Sequence, residues 1–400
     1  MRLRPAALIA TAIVAAACTG APEGPSGALS TLPEPVHGER LLVLMEDGAV
    51  VTVAPDGSEM RSLVPSPVEG VDVKQPVWSP DGRSVAWAEF EVDDSGAHSR
   101  VVTSDPEGAS RTEFAVETGT FFLQFDPTSS RIAYLGNYRG AVGMGVAERT
   151  ADGSPTAMTL GAGRPFYLSW SPEGDLLLIH VGSQTLGTLD LEGNLEEIGD
   201  TPGIFGAPVW LPDGRMVYAV IEGQRQTLVV REGDSPKELV RFNGAIEFVV
   251  SPDGTRIAYR VTGEDGPGGV EVVNIRSAKS QTATATPTSA FHWSPDGRRL
   301  LLMTAAEGEA ATHRWMVWEG GEATPLGPTF QPSATFLREY VPFYGQYAQA
   351  MTLWAPDGRS FAFPGTIGGQ TGIWVQELDA TDPTLVLDGG SVVAWSPVAV

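Results

Sequence analysis

Cysteine is nearly absent. Cys18 is the single one in 400 residues, so no internal disulfide can form and an exported domain would have to stand on its hydrophobic core. Basic residues are scarce as well: 26 Lys and Arg face 49 Asp and Glu, and the resulting charge of −23 repels phosphate backbones and anionic headgroups. No nucleic-acid binding and no electrostatic membrane docking are expected. The histidines are scattered at His37, His98, His180, His292 and His313, and the acidic loops lack ordered ligand spacing, so neither metal nor cofactor is expected. Catalytic motifs are missing too. The chain contains no Gly-x-Ser-x-Gly elbow, no Gly-x-x-x-x-Gly-Lys, no His-Glu-x-x-His and no Cys-x-x-Cys, which leaves no contiguous constellation for chemistry. The protein is therefore expected not to be an enzyme.

What the chain does have is a repeat. Trp78-Ser79-Pro80-Asp81-Gly82 returns at Trp170-Ser171-Pro172-Glu173-Gly174, Trp210-Leu211-Pro212-Asp213-Gly214, Val250-Ser251-Pro252-Asp253-Gly254, Trp293-Ser294-Pro295-Asp296-Gly297 and Trp354-Ala355-Pro356-Asp357-Gly358. A truncated copy, Trp395-Ser396-Pro397, ends the series, and Phe125-Asp126-Pro127-Thr128-Ser129 is a degenerate one. The proline-to-proline steps are 40 to 47 residues, with one of 61. That is the length of a four-stranded propeller blade. Each turn is preceded by a short apolar strand and followed by alternating segments such as Ser84-Val85-Ala86-Trp87-Ala88, so the unit reads as strands joined by hairpins. Pro presets φ, Asp or Ser caps the turn backbone and Gly takes the positive φ, which makes the recurring aspartates turn residues. The first unit, from Glu39 to Leu63, lacks an inner strand, and residues 391–396 are an inner strand with nothing behind them. Paired, the two ends would complete one blade and leave no exposed edge. We therefore expect an all-β fold: a single closed β-propeller of four-stranded blades, eight with seven as the alternative, with the N- and C-terminal strands sharing a blade.

The aromatic-Ser-Pro-Asp-Gly turn resembles the repeat of the TolB-like propeller family, over residues 40–400. The resemblance implies the fold. TolB-type translocation proteins carry an α/β domain ahead of a six-bladed propeller, whereas only a short tether is expected ahead of the first strand here. Propellers of prolyl-oligopeptidase-type enzymes are similar but sit beside a hydrolase domain, for which no sequence is expected to remain.

Residues 1–17 have the layout of a signal peptide: Arg2 and Arg4, then an apolar run from Ala6 to Ala17 too short to cross a bilayer. Ala15-Ala16-Ala17-Cys18 resembles a bacterial lipobox, so Cys18 is the expected lipidation site and residues 18–38, rich in Pro, Gly and Ser, a flexible tether to the propeller at 39–400. The protein is thus expected to be exported, monomeric and held by its lipid at the outer face of the cytoplasmic membrane, in the periplasm or at the cell surface.

One step is too long. The 61-residue step carries about 18 extra residues, placed between Thr329 and Tyr347 and rich in aromatics. They would serve either as a plug against the ring or as a platform for a ligand or partner. On the platform reading, Phe336, Arg338, Tyr340, Phe343, Tyr344 and Tyr347 carry binding, joined on the same face by loop residues Tyr138, Arg139 and Arg225. The expected function is a protein-binding scaffold for an unidentified envelope partner, with a small-ligand or glycan binder as the alternative and, after it, an enzyme whose residues converge from different blades at the channel.

Overall fold

The computed structural model describes residues 39–398, apart from 67–69, 95, 234, 264–265, 307 and 309–310. The signal segment, Cys18 and the tether lie outside the described residues. The rest is a β-propeller built from antiparallel meanders. Strands Val71–Trp78, Val85–Asp93, Gly96–Ser104 and Arg111–Val116 form one four-stranded sheet, and Gly119–Phe125 through Pro155–Gly163 form the next. Three further sheets start at Phe166, Val209 and Ala245. The last sheet has seven strands, because the meander from Thr288–Trp293 to Thr324–Pro332 is joined to Ser360–Ile367 and the two strands after it. Only two residue pairs make that join, Gln331 with Thr366 and Pro332 with Gly365.

The ends meet as the sequence requires. Gly390–Trp395 pairs antiparallel with Leu41–Met45, placing Trp395 opposite Leu41 and Val393 opposite Val43. This closing sheet shows how burial grades outward. Its inner strand Gly390–Trp395 is buried at every position, whereas its outer strand Arg61–Val64 is exposed or half-buried. Inner strands are covered on both faces by neighbouring sheets, which is why they are apolar runs and the outer strands are not. Trp87, Trp315, Trp318 and Trp374 are all buried between sheets.

The repeated turn acts within and between sheets. Ser79 Oγ accepts the Ser84 N–H at 2.9 Å and donates to Asp81 Oδ1 at 2.6 Å, while the Gly82 N–H reaches the Ser79 carbonyl with Gly82 at φ +68°. Ser251 and Ser294 repeat the arrangement with Asp253 and Asp296. The aspartates are turn residues, as expected. The tryptophan before the turn faces the preceding sheet: the indole N–H of Trp78 donates to Ala394 O, Trp170 to Gln124 O, Trp293 to Val249 O and Trp354 to His292 O, each at 3.1–3.2 Å. Each acceptor immediately precedes the first residue of the previous unit's turn motif: Trp395, Phe125, Val250 and Trp293. Every such bond staples two sheets and satisfies an inner-strand carbonyl.

Candidate binding site

The extra segment is helical and begins later than the sequence reading placed it. Thr324–Pro332 runs on as a strand because Gln331 and Pro332 pair with the next meander, so the excursion starts at Ser333. The inner strand that should follow is reduced to a single bridge, Trp354 with Phe361. Aromatics at 336, 340, 344 and 347 recur at helical spacing and put one apolar stripe on the segment. Pro342 interrupts it, and the chain breaks into a π-type turn at Phe336–Tyr340, a 3-10 turn at Val341–Phe343 and one α-turn at Tyr344–Tyr347.

That stripe plugs the ring, and its polar atoms bond the backbone of the inner strands. Tyr344 Oη accepts the Phe291 N–H at 3.0 Å and donates to the Phe291 carbonyl. The Gln346 amide closes both backbone groups of Leu168, at 2.8 and 3.0 Å. Tyr347 Oη donates to Phe121 O at 2.9 Å, and Ser333 Oγ to Ser391 O at 2.5 Å. Lys74 pairs with Glu339 at 3.2 Å and with Asp72 at 3.3 Å. Burial pushes the Lys74 ammonium downward, but the two carboxylates outweigh it and hold the group above the usual lysine value. Gln75 clamps Leu123 in the same two-bonded way, without the plug. The inner strands are sheet edges facing the axis, and these side chains supply the partners their backbones would otherwise lack.

The sequence-predicted residues therefore separate. Phe336, Tyr340 and Tyr344 are buried in the plug, with Tyr340 between the rings of Phe336 and Tyr347. As buried rings they are not a surface that a partner touches, and on them the plug alternative describes the structure. Arg338, Phe343 and Tyr347 line a cavity of about 780 Å3 together with Tyr138 and Arg139. Arg225 opens the strand Arg225–Glu232, where it is exposed and outside this lining.

The cavity is apolar below and cationic at its rim. Its floor is Phe121, Phe122, Leu135, Phe166 and Tyr347, and its charged lining is Lys74, Arg139, Arg164, Arg338 and Glu339. Arg139 and Gly140 form a two-residue hairpin with φ +49° and +85°, since Tyr138 pairs with Ala141. Both positive angles mark the type I′ turn, in which arginine is an unusual choice. Its guanidinium lies 5.0 Å from the Tyr138 ring centroid. Phe343 is 51% exposed and also lines a second cavity of about 220 Å3 with Tyr167, Phe205, Glu247 and Phe248. Lys74, Arg164, Tyr167 and Gln346 are absent from the sequence reading. Nothing in their local sequence marks them, because they come from the strand Val71–Trp78, the stretch at the start of Phe166–Trp170 and the plug, and only the folded ring assembles them.

Fold and site together define a β-propeller with its axis plugged and an aromatic, arginine-rimmed cavity beside the plug. No family model matches the chain. An uncharacterized peptidase of Bacillus subtilis is 30% identical over 125 residues, 30% of this chain and 17% of that protein. An uncharacterized protein of Agrobacterium fabrum is 23% identical over 202 residues, 48% of this chain and 61% of that one. The chain matches less than two thirds of the length of either relative. Among solved structures, the β-propeller domain of the Trilobed protease from Pyrococcus furiosus superposes with a TM-score of 0.51 at 13% identity, over 80% of this chain and 99% of that one. A eukaryotic initiation factor superposes with 0.52 at 11% identity, over 90% and 99%. TolB from Acinetobacter baumannii is similar at 0.40 and 16% identity, over 79% and 83%. At these identities the likeness is one of fold.

Proposed function

We propose that this chain is a TolB-like bacterial lipoprotein, held at the cell envelope by Cys18, whose propeller binds a partner without catalysing a reaction. The binding reading rests on one observation: a cavity of about 780 Å3 walled by rigid inner strands on one side and the latched plug on the other. That volume suits a few inserted side chains or a small molecule, and a rigid wall lowers the ordering cost of binding. Phe343, half out of its seat at the edge of both cavities, is the anchor a partner would cover. Photo-crosslinking tests this: p-benzoylphenylalanine at position 343 should trap a discrete partner in cells, and the same group at Arg225 should not. Identical adducts from both positions would defeat the assignment of the site.

The anchor reading rests on Ala15-Ala16-Ala17-Cys18. Cys18→Ser should abolish diacylglycerol attachment and release the protein from the membrane fraction. An unmodified Cys18 thiol in the native mature protein, seen by mass spectrometry, refutes it.

A further inference from the structure

The charge at this mouth runs against the charge of the chain. Acidic residues outnumber basic ones 49 to 26 overall, yet the cavity lining holds Lys74, Arg139, Arg164 and Arg338 against Glu339 alone. Glu339 is already engaged by Lys74 at 3.2 Å. Among the described residues, no carboxylate pairs with Arg139, Arg164 or Arg338; elsewhere arginines such as Arg100, Arg111, Arg131, Arg231 and Arg260 sit on carboxylates at 3.0 Å or less. Arg338 spends one donor on the Ala334 carbonyl at 3.3 Å, and Arg139 lies over the Tyr138 ring. Each guanidinium has five N–H donors in a fixed fork, so most of this donor capacity faces the cavity rim unused.

We infer that the cavity takes an acidic peptide segment, its carboxylates on Arg139, Arg164 and Arg338 and an apolar side chain against Phe121 and Phe343. The inference rests on the proposed binding role and names its chemistry. Arginine forks match carboxylates bidentately, and the apolar floor excludes a ligand that is charge alone. The −23 charge selects for shortness. At physiological salt the screening length is about 8 Å, so a short segment confined to the mouth feels the local cations, whereas a long polyanion also meets the acidic surface around it.

Panning a random-peptide display library on the full chain tests this. Against the overall charge of the protein, non-specific capture enriches basic peptides, so enrichment of Asp- and Glu-containing sequences with an aromatic or aliphatic residue is the diagnostic result. The enriched peptides should bind about tenfold more weakly to each of R139Q, R164Q and R338Q and lose measurable binding to the triple variant, with R225Q unchanged. Their affinity should fall with added salt, and citrate should compete better than inorganic phosphate. Neutral or basic enriched sequences, no enrichment, or indifference to the triple variant overturns the inference. F343A separates the two levels: if it abolishes capture while the arginine variants do not, the mouth binds a neutral ligand and the binding role stands. Stronger competition by phosphate points instead to a phosphorylated ligand and removes the carboxylate assignment.

Discussion

Tyr344 shows how much one hydroxyl holds. It satisfies both backbone groups of Phe291, a residue with no solvent exposure, and Tyr344→Phe would leave an N–H and a C=O buried without partners. The expected loss is about 1–3 kcal/mol, read as a lower urea midpoint at unchanged slope. An unchanged midpoint would mean that another group takes over the bonds. The neighbouring His292 governs behaviour toward acid. Burial among apolar side chains, with its Nε2 unpartnered, pushes its imidazole down to about 4. A group depressed in the fold binds its proton in the unfolded chain first, so the stability it contributes is intact above the unfolded value near 6.5 and is lost as pH falls toward 4. That loss is at most about 3 kcal/mol, from the 1.36 kcal/mol per pKa unit. His180 and His313, also lowered by burial, act in the same sense, while turn carboxylates such as Asp296, held low by the Ser294 hydroxyl against partial burial, matter only at more acidic pH. Melting curves between pH 7 and 4 should therefore fall steeply for the native chain and less steeply for His292→Gln.

At the scale of elements, the closing strand and the plug are mechanically linked. Trp395 donates its backbone N–H to Thr352 O at 2.6 Å, and Thr352 Oγ1 returns a bond to Trp395 O, so the exit of the plug is tied to the strand that closes the ring. The Trp395 ring is buried at 1% exposure. Trp395→Ala should cost about 3–5 kcal/mol through the cavity it leaves, measured by chemical denaturation; a wild-type midpoint would show that the strand is dispensable. The plug itself is an element that edge-strand physics explains. Where most sheets present an inner strand to the axis, bare backbone groups are costly unless something hydrogen-bonds them, and a tyrosine or glutamine side chain does so without adding a strand.

At the scale of the molecule, closure replaces the covalent cross-links that the composition denies. Pairing of Leu41–Met45 with Gly390–Trp395 joins the first strand of the domain to the last, so no sheet edge along the ring is left open at the seam. Deleting residues 390–398 should expose both the Leu41–Met45 edge and an apolar face, seen as self-association in size-exclusion chromatography and an early, broad melt. A monomeric truncation that melts as sharply as the full domain would show that closure is not needed. The Trp-to-carbonyl staples at Trp78, Trp170, Trp293 and Trp354 distribute the same job around the ring; they are missing where Phe125 and Val250, with no N–H to give, replace the tryptophan, and the indole N–H groups of Trp210 and Trp395 make no such bond.

The propeller, the shared blade at the seam and the turn role of the aspartates were legible in residue order alone, because strand alternation, turn chemistry and a fixed repeat length are local properties that stacking then propagates. The helical spacing of Phe336, Tyr340, Tyr344 and Tyr347 was equally present in the order of residues and marks one apolar face, but only their burial in the folded ring decides that this face turns inward. The cavity was not legible. Lys74, Arg139, Arg164 and Arg338 are separated by up to 264 positions and come from two sheets, the connection leading into a third and the plug, and no periodicity links them. Their meeting depends on the radius of the ring and on the path of the plug across it, both of which exist only once the first and last strands have paired.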